Sequence, residues 1–146
     1  MRFRPMQPGD LDTVVGIENM VSPVPWPTNQ FIESIKNHHA RVLEYSSAVV
    51  GYAIYSYKLD QAELLNLAIE PKSQGSGWGG RLLKLVIDGL PPEVKKLFLD
   101  VRVSNFRAIR LYQSFRFEQI GERVGYYRTS NEALRENALV MWLIRG

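Results

Sequence analysis

The sequence predicts a mixed α/β (α+β) domain, a single mixed sheet of six to seven strands with helices on both faces. Three observations carry that prediction. Segments with strand and helix periodicity follow one another in the order β-α-α-β-β-β-α-β-α-β-β. A glycine-rich loop, Gln74–Gly80, separates an apolar strand-like run from a helix-like one. No repeat, low-complexity tract or linker interrupts the 146 residues, so residues 1–146 are expected to form one domain with a real core.

The elements are justified in order. MRFRPM, residues 1–6, alternates and reads as a short strand. Asp10 is placed to cap a helix over Leu11–Met20, where Leu11, Val14, Val15 and Glu18 mix core and surface spacing. The connector SPVPWP, residues 22–27, is rigid because three prolines fix φ and break regular structure. Thr28 is placed to cap a second helix with Phe31, Ile32 and Ile35 on one face. His38 and His39 show no partner pattern and read as a solvated helix end. Residues 41–45 and 48–58 read as strands joined at Ser46–Ser47, the second rich in β-branched and aromatic residues. Glu63–Ile69 is the next strand. After the loop, a helix over Trp78–Asp88 is stopped by Gly89 and Pro91–Pro92. KKLFLDVRV, residues 95–103, leads through Ser104–Asn105 into a helix carrying Ala108, Leu111, Tyr112 and Phe115. Strands near Glu118–Arg123 and Ala138–Ile144 close the chain.

Composition narrows the chemistry. Apolar residues at 45% and charged residues at 23% are the balance of a globular chain, not a disordered one. The absence of cysteine excludes disulfides, thiolate metal sites and a cysteine nucleophile, and is compatible with a reducing cytoplasm. With two adjacent histidines and no carboxylate cluster, no metal site is expected. A net charge of +3 mildly favours anionic partners such as a phosphorylated cofactor and is too small to argue for nucleic acid. The apolar runs are far short of a membrane span, and the amino terminus has no long apolar h-region. A cytoplasmic monomer, with no direct nucleic-acid or membrane partner, is the expectation.

The loop Gln74-Gly75-Ser76-Gly77-Trp78-Gly79-Gly80 is the main chemical signal. Glycines allow sharp turns and close backbone approach to a ligand. The first turn of the following helix offers free N–H groups and a partial positive dipole, together a phosphate or pyrophosphate site. A ligand-free turn, or glycines that permit close helix–sheet packing, is the alternative. A P-loop fails, because Gly80 is followed by Arg81-Leu82 rather than Lys and Ser or Thr. A dinucleotide-binding unit also fits poorly, since the loop lies in mid-chain after an antiparallel-looking run.

The Q-x-x-G-x-G pattern of Gln74–Gly79, after a strand ending in Leu67-Ala68-Ile69-Glu70-Pro71, resembles motif A of the GCN5-related N-acetyltransferase (GNAT) superfamily. Within it the whole chain is similar to the ribosomal-protein-alanine N-acetyltransferases of the RimI type. The matching stretches are PWP at 25–27, LNLAIEP at 65–71, LDVRVSNFRAIRLYQSFRF at 99–117, GYY at 125–127 and ALVMWL at 138–143. The resemblance implies the GNAT fold, with a V-shaped splay between two parallel strands, here Glu63–Ile69 and Lys96–Val101, and acetyl-CoA as cosubstrate in the splay.

It also implies roles. The backbone of Leu67, Ala68 and Ile69 would bind the pantetheine arm and offer an N–H to the oxyanion. Gln74, with amides of Gly75, Ser76, Gly77, Trp78, Gly79 and Gly80, would hold the pyrophosphate. Trp78 stands where the pattern usually has a smaller aliphatic side chain, and covering the core is its other reading. Tyr112 matches the family's general acid; as a phenol with an ordinary pKa of about 10 it is protonated at neutral pH. Its other reading is a core residue of the helix. Asp100 aligns where RimI-type enzymes usually carry glutamate, the proposed general base. One methylene shorter, it would act directly or through a water, or else pair with Arg102 or Arg107 while Asp60 or Glu63 supplies the base. Asn105 matches a cofactor-contacting residue and is also placed to cap the following helix. Trp26, Tyr126 and Tyr127 would line an acceptor groove. On a regular strand the two tyrosines point to opposite faces.

The implied activity is acetylation of a protein or peptide α-amine, the amino-terminal alanine of a small-subunit ribosomal protein in particular. Two alternatives stand beside it: a lysine or small-amine acetyltransferase, and an acyl-CoA-binding regulatory module with weak catalysis. Loops at 22–27 and 123–137 that close a groove would favour an extended peptide end, and an open cleft the other amines. The segment RTSNEALREN, residues 128–137, departs from the shorter acidic segment expected of the family.

Overall fold

The alternating segments become seven strands and the longer apolar periods four α-helices, in a computed structural model that describes residues 1–146. In chain order these are β1 (Arg2–Pro5), α1 (Leu11–Val21), α2 (Thr28–Asn37), β2 (His39–Tyr45), β3 (Ala48–Lys58), β4 (Gln61–Ile69), α3 (Trp78–Gly89), β5 (Lys96–Arg102), α4 (Phe106–Ser114), β6 (Glu118–Arg128) and β7 (Arg135–Ile144). The strands form one mixed sheet ordered β1-β2-β3-β4-β5-β7-β6. The chain sorts into two compact units, Met1–Ser56 with Leu65–Leu90, and Tyr57–Leu64 with Pro91–Gly146.

In the first unit, β1, β2 and β3 pair antiparallel, with Phe3 opposite Leu43 and Val42 opposite Tyr52. Val14 and Ile17 of α1, Phe31 of α2 and Val42, Tyr52 and Ile54 of the sheet are buried in one cluster. Leu82, Leu83 and Val86, at helical spacing, are the buried face of α3. Asp10 holds the cap position of α1 as expected, but its side chain makes no capping bond to that helix. It ends a one-turn 3-10 helix, Pro8–Asp10, where its carboxylate accepts from Gln7 N–H at 2.8 Å and from Arg4 Nη1 and Nη2 at 2.8 and 2.9 Å. That pairing with Arg4 holds the Asp10 carboxyl below the usual range. Thr28 does not cap α2 either; it is the first helical residue, and Pro27 is the cap position. Ser34 joins Phe31 on the buried face of α2, with Ile32 and Ile35 half-buried. His38 ends α2, but His39 opens β2 and stacks on Tyr55 at 5.3 Å, because sheet pairing extends further towards the amino terminus than propensity suggested.

One glycine of β3 has a packing reason. A Cβ on Gly51 would lie 2.6 Å from the Ala68 carbonyl oxygen and 2.6 Å from Ile69 Cδ1, so only hydrogen fits beside the end of β4. The Glu70 N–H then bonds the Val50 carbonyl at 2.8 Å.

In the second unit the first half of β4 runs parallel to β5, from Gln61 opposite Lys96 to Leu64 opposite Leu99. The ladder ends there although both strands continue, β4 to Ile69 and β5 to Arg102. This is where the fold class expects two strands to part. β5 pairs antiparallel with β7, and β7 with β6. Leu97, Leu99, Val101, Phe117, Ala138 and Met141 are buried. β6 and β7 are longer than expected. The segment 123–137, expected as a loop, is mostly two strand ends joined by a short turn, with Arg128 opposite Arg135. Its ladder is irregular between Arg123 and Tyr127, and Gly125 there adopts φ +61°. No helix is long and apolar enough to cross a membrane.

Candidate acyl-transfer site

The first unit carries the expected cofactor groups. Ala68 and Ile69 are buried and Leu67 half-buried at the end of β4. A one-turn 3-10 helix, Pro71–Ser73, follows, and Gln74 then folds the loop back by donating from Nε2 to the Ile69 carbonyl at 2.9 Å. Gly75 and Gly77 adopt φ +82° and +83°, the left-handed region that disfavours a side chain. Ser76 between them is exposed. A Cβ on Gly75 or Gly77 would meet nothing within 4 Å, so no protein atom fills the space beside either.

Gly77 caps α3, whose first hydrogen bond runs from Arg81 N–H to the Gly77 carbonyl at 3.1 Å. The amides of Trp78, Gly79 and Gly80 therefore precede the helical ladder at the positive end of its dipole, a geometry suited to a phosphate. Trp78 is half-buried, its ring 4.9 Å from that of Tyr45 and under the Arg81 guanidinium at 5.0 Å. Trp26 is half-buried in the connector, 5.2 Å from Phe31.

The second unit carries the expected acid–base groups. Tyr112 is the buried residue of α4, beside Phe117 at 5.5 Å. Its burial pushes the phenol up to about 12, so it is a neutral O–H donor throughout the physiological range. Asp100 lies on β5 and accepts at Oδ1 from Arg123 Nε at 3.1 Å. Arg123 is not one of the two arginines expected there. Arg102 instead bonds Glu136 Oε1 at 3.1 Å and the Arg128 carbonyl at 2.7 Å. The other Glu136 oxygen accepts from Ser104 N–H at 2.9 Å. Of the reserve carboxylates, Glu63 is near enough for its charge to help raise the Arg123 pKa, behind the larger effect of Asp100. Asp60 lies in the turn before β4, where its carbonyl accepts from Lys95 and Lys96. Asn105 is the cap of α4, accepting from Ala108 N–H at 3.3 Å.

Tyr126 and Tyr127 do not take opposite sides. The irregular register and left-handed Gly125 turn them together, edge to face at 5.0 Å. Tyr126 is 49% exposed, which leaves its ring available to a ligand. Tyr127 is half-buried beneath the Arg102 guanidinium at 4.5 Å, and burial, then the nearby Asp100, raise its phenol pKa.

Sequence reasoning missed three residues. Arg123 gave no signal, because its link to Asp100 depends on the β6–β7 register. Arg102 was weighed as a partner of Asp100 and not as the brace of Tyr127. Glu18 did give one: with Val14 and Ile17 it completes the i, i+3, i+4 spacing of a buried face. It is buried, accepting at Oε1 from the Tyr52 hydroxyl.

The fold and the sequence are those of an acyltransferase. Residues 11–117 match the model of the Acetyltransferase (GNAT) family, and the chain belongs to that family. It is 35% identical over 136 residues to the [ribosomal protein bS18]-alanine N-acetyltransferase of Escherichia coli K12, covering 92% of this chain and 90% of that one. It is 32% identical over 144 residues to a putative enzyme of the same name from Bacillus subtilis, covering 96% and 93%. The crystal structure of the ribosomal-protein-S18-alanine N-acetyltransferase from E. coli superposes with a TM-score of 0.88 at 32% identity, over 98% of this chain and 92% of that one. Arabidopsis thaliana NAA60 in complex with acetyl-CoA shares the fold, with a TM-score of 0.84 at 18% identity, over 98% and 97%.

Proposed function

We propose that this chain transfers acetyl from acetyl-CoA to the α-amine of a protein, with the amino-terminal alanine of ribosomal protein bS18 as acceptor. The observation that carries this reading is the near full-length similarity to enzymes named for that reaction, at 35% identity. The glycine turn fits the diphosphate of coenzyme A, because Gly75 and Gly77 face open space and α3 begins beside them. Acetyl-CoA supplies an activated acyl group as a thioester.

Gln74 braces the turn while amides of Gly75–Gly80 hold the diphosphate. The end of β4, Leu67–Ile69, offers backbone N–H to the acyl oxygen, where negative charge develops. Asp100, directly or through one water, takes the proton that the ammonium must lose before its lone pair can attack the carbonyl. As the C–N bond forms and the C–S bond breaks, Tyr112 gives its proton to the departing thiolate, and the second proton, shed by the newly acylated nitrogen, returns to Tyr112 directly or through one water. Asn105 keeps α4, and so Tyr112, in place, and contacts the cofactor. Trp26, Tyr126 and Tyr127 line the acceptor groove. The setting is the cytoplasm, with no metal, and the protein acts as a monomer on one folded domain.

The test is an array of peptides that differ in their first residue, scored by thiol release and by mass spectrometry of the product. The expected result is preference for alanine, with acetyl on the α-amine. Acetylation confined to lysine side chains or small amines would overturn the acceptor assignment, and binding without thiol release would overturn the activity.

A further inference from the structure

The connector Ser22–Pro27, between α1 and α2, has no regular structure. Prolines at 23, 25 and 27 leave it only the N–H groups of Ser22, Val24 and Trp26. Two of these end on a single residue. Ser22 N–H donates to the Glu18 carbonyl at 2.9 Å, and Trp26 N–H donates to Glu18 Oε2 at 3.0 Å. The other oxygen, Oε1, accepts from the Tyr52 hydroxyl on β3 at 2.6 Å and from Asn66 Nδ2 on β4 at 3.2 Å.

Glu18 is 3% exposed. A buried carboxylate is costly unless donors fill its lone pairs, and here donors from three separate segments do so. Core stability alone does not call for it, since an apolar residue would complete the Val14–Ile17 face at a smaller desolvation cost. An apolar residue could not accept from the Trp26 amide. The Trp26 ring packs against Phe31, so the amide bond to Glu18 sets where along the connector that ring is presented.

We infer that Glu18 is a positioning residue: its carboxylate fastens the Ser22–Pro27 connector, and Trp26 with it, to β3 and to β4 one residue ahead of Leu67, and so sets which first residue the acceptor groove admits. This rests on the reading of Trp26 as a lining residue of that groove. β4 keeps its place through the sheet, whereas the connector depends on Glu18, so the effect falls on the acceptor and not on acetyl-CoA.

The experiment compares wild type with Glu18→Gln, which keeps the volume but only one acceptor oxygen. KM for an alanine-initiated peptide is expected to rise about tenfold, with KM for acetyl-CoA within about twofold and the preference for alanine over leucine narrowed. A merely structural role would lower thermal stability and active fraction while leaving the alanine-to-leucine ratio alone; an unchanged ratio in folded protein overturns the inference. Should Glu18→Gln fail to fold, Tyr52→Phe, which removes one donor and keeps the carboxylate, is expected to narrow the ratio less, and an unchanged ratio there overturns it too. Amide exchange at Trp26 is a second readout, independent of activity. Exchange about tenfold faster in Glu18→Gln supports the fastening, and an unchanged rate overturns it. If the wild type acetylates no peptide, the reading of function fails while exchange still decides the fastening.

Discussion

Arg123 donates from Nε to Oδ1 of Asp100 across 3.1 Å, and the same guanidinium lies 5.4 Å from the centre of the Tyr126 ring. Arg123 thus links the proposed base to a ring of the proposed acceptor groove. Its side chain is 53% exposed and that of Asp100 17%, so the pair is partly screened by solvent.

The first prediction concerns that pair. Asn at position 100 can still accept from Arg123 but cannot take a proton. Asp100→Asn is expected to lower kcat about 100-fold while leaving KM for acetyl-CoA and the melting temperature near wild type. Arg123→Ala, at a mostly exposed site, should leave the melting temperature nearly unchanged. Full turnover in Asp100→Asn would move the base elsewhere, and Glu63 would be the next carboxylate to replace.

Tyr112 gives a kinetic and a pH prediction. Tyr112→Phe keeps the packing against Phe117 and removes the proton, so kcat should fall about 100-fold with little change in stability at pH 7. The folded phenol titrates near 12 and the unfolded one near 10. Between those values the unfolded chain has already lost the proton that the folded chain still holds. Stability therefore falls as pH rises from about 10 to about 12. Denaturant titrations should show a shallower decline over that window in Tyr112→Phe. Buried Tyr52 and half-buried Tyr127, whose pKa values are also raised, should retain their own share.

At Gly77 conformation and ligand contact can be separated. Alanine at φ +83° should cost about 1–2 kcal/mol of stability, although its Cβ meets no neighbour. Asparagine tolerates the left-handed region better, so Gly77→Asn should be more stable than Gly77→Ala. Both should weaken acetyl-CoA binding, measured by calorimetry, if the turn holds the diphosphate. Unchanged affinity in both would remove the loop from the cofactor site.

Gly51 tests the support beneath the end of β4. Its added methyl would meet the Ala68 carbonyl, a backbone atom that cannot swing aside. Gly51→Ala should destabilise the protein by about 1–3 kcal/mol and, by displacing Ala68 and Ile69, weaken acetyl-CoA binding as well. Denaturant melts and calorimetry on the same sample check both.

Much of the fold was legible because local signals agreed with tertiary demands. The connector prolines and the turn at Ser46–Ser47 fall where the sequence placed them, and α3 stops one residue past Asp88, at Gly89. The misreadings arose where a distant partner overrode a local preference. Asp10 looked like a cap, but Arg4 engages its carboxylate; His39 looked like a helix end, but Tyr55 draws it into a strand. In the site, the motifs placed Tyr112 on a helix and Gly77 at a helix start, because those positions follow from local pattern. The contact between Tyr126 and Tyr127 was not legible. It depends on an irregular register, which alternation cannot foretell.

The indole of Trp78 sits in the first turn of α3, beside the Tyr45 ring and under the Arg81 guanidinium. Fluorescence of such a group responds to any charge that comes to rest nearby. The chain therefore has a native optical reporter at the rim of the glycine turn. Ligand titrations could be followed there without a dye, with Trp78→Phe, which leaves the emission of Trp26 and Trp142, as the control.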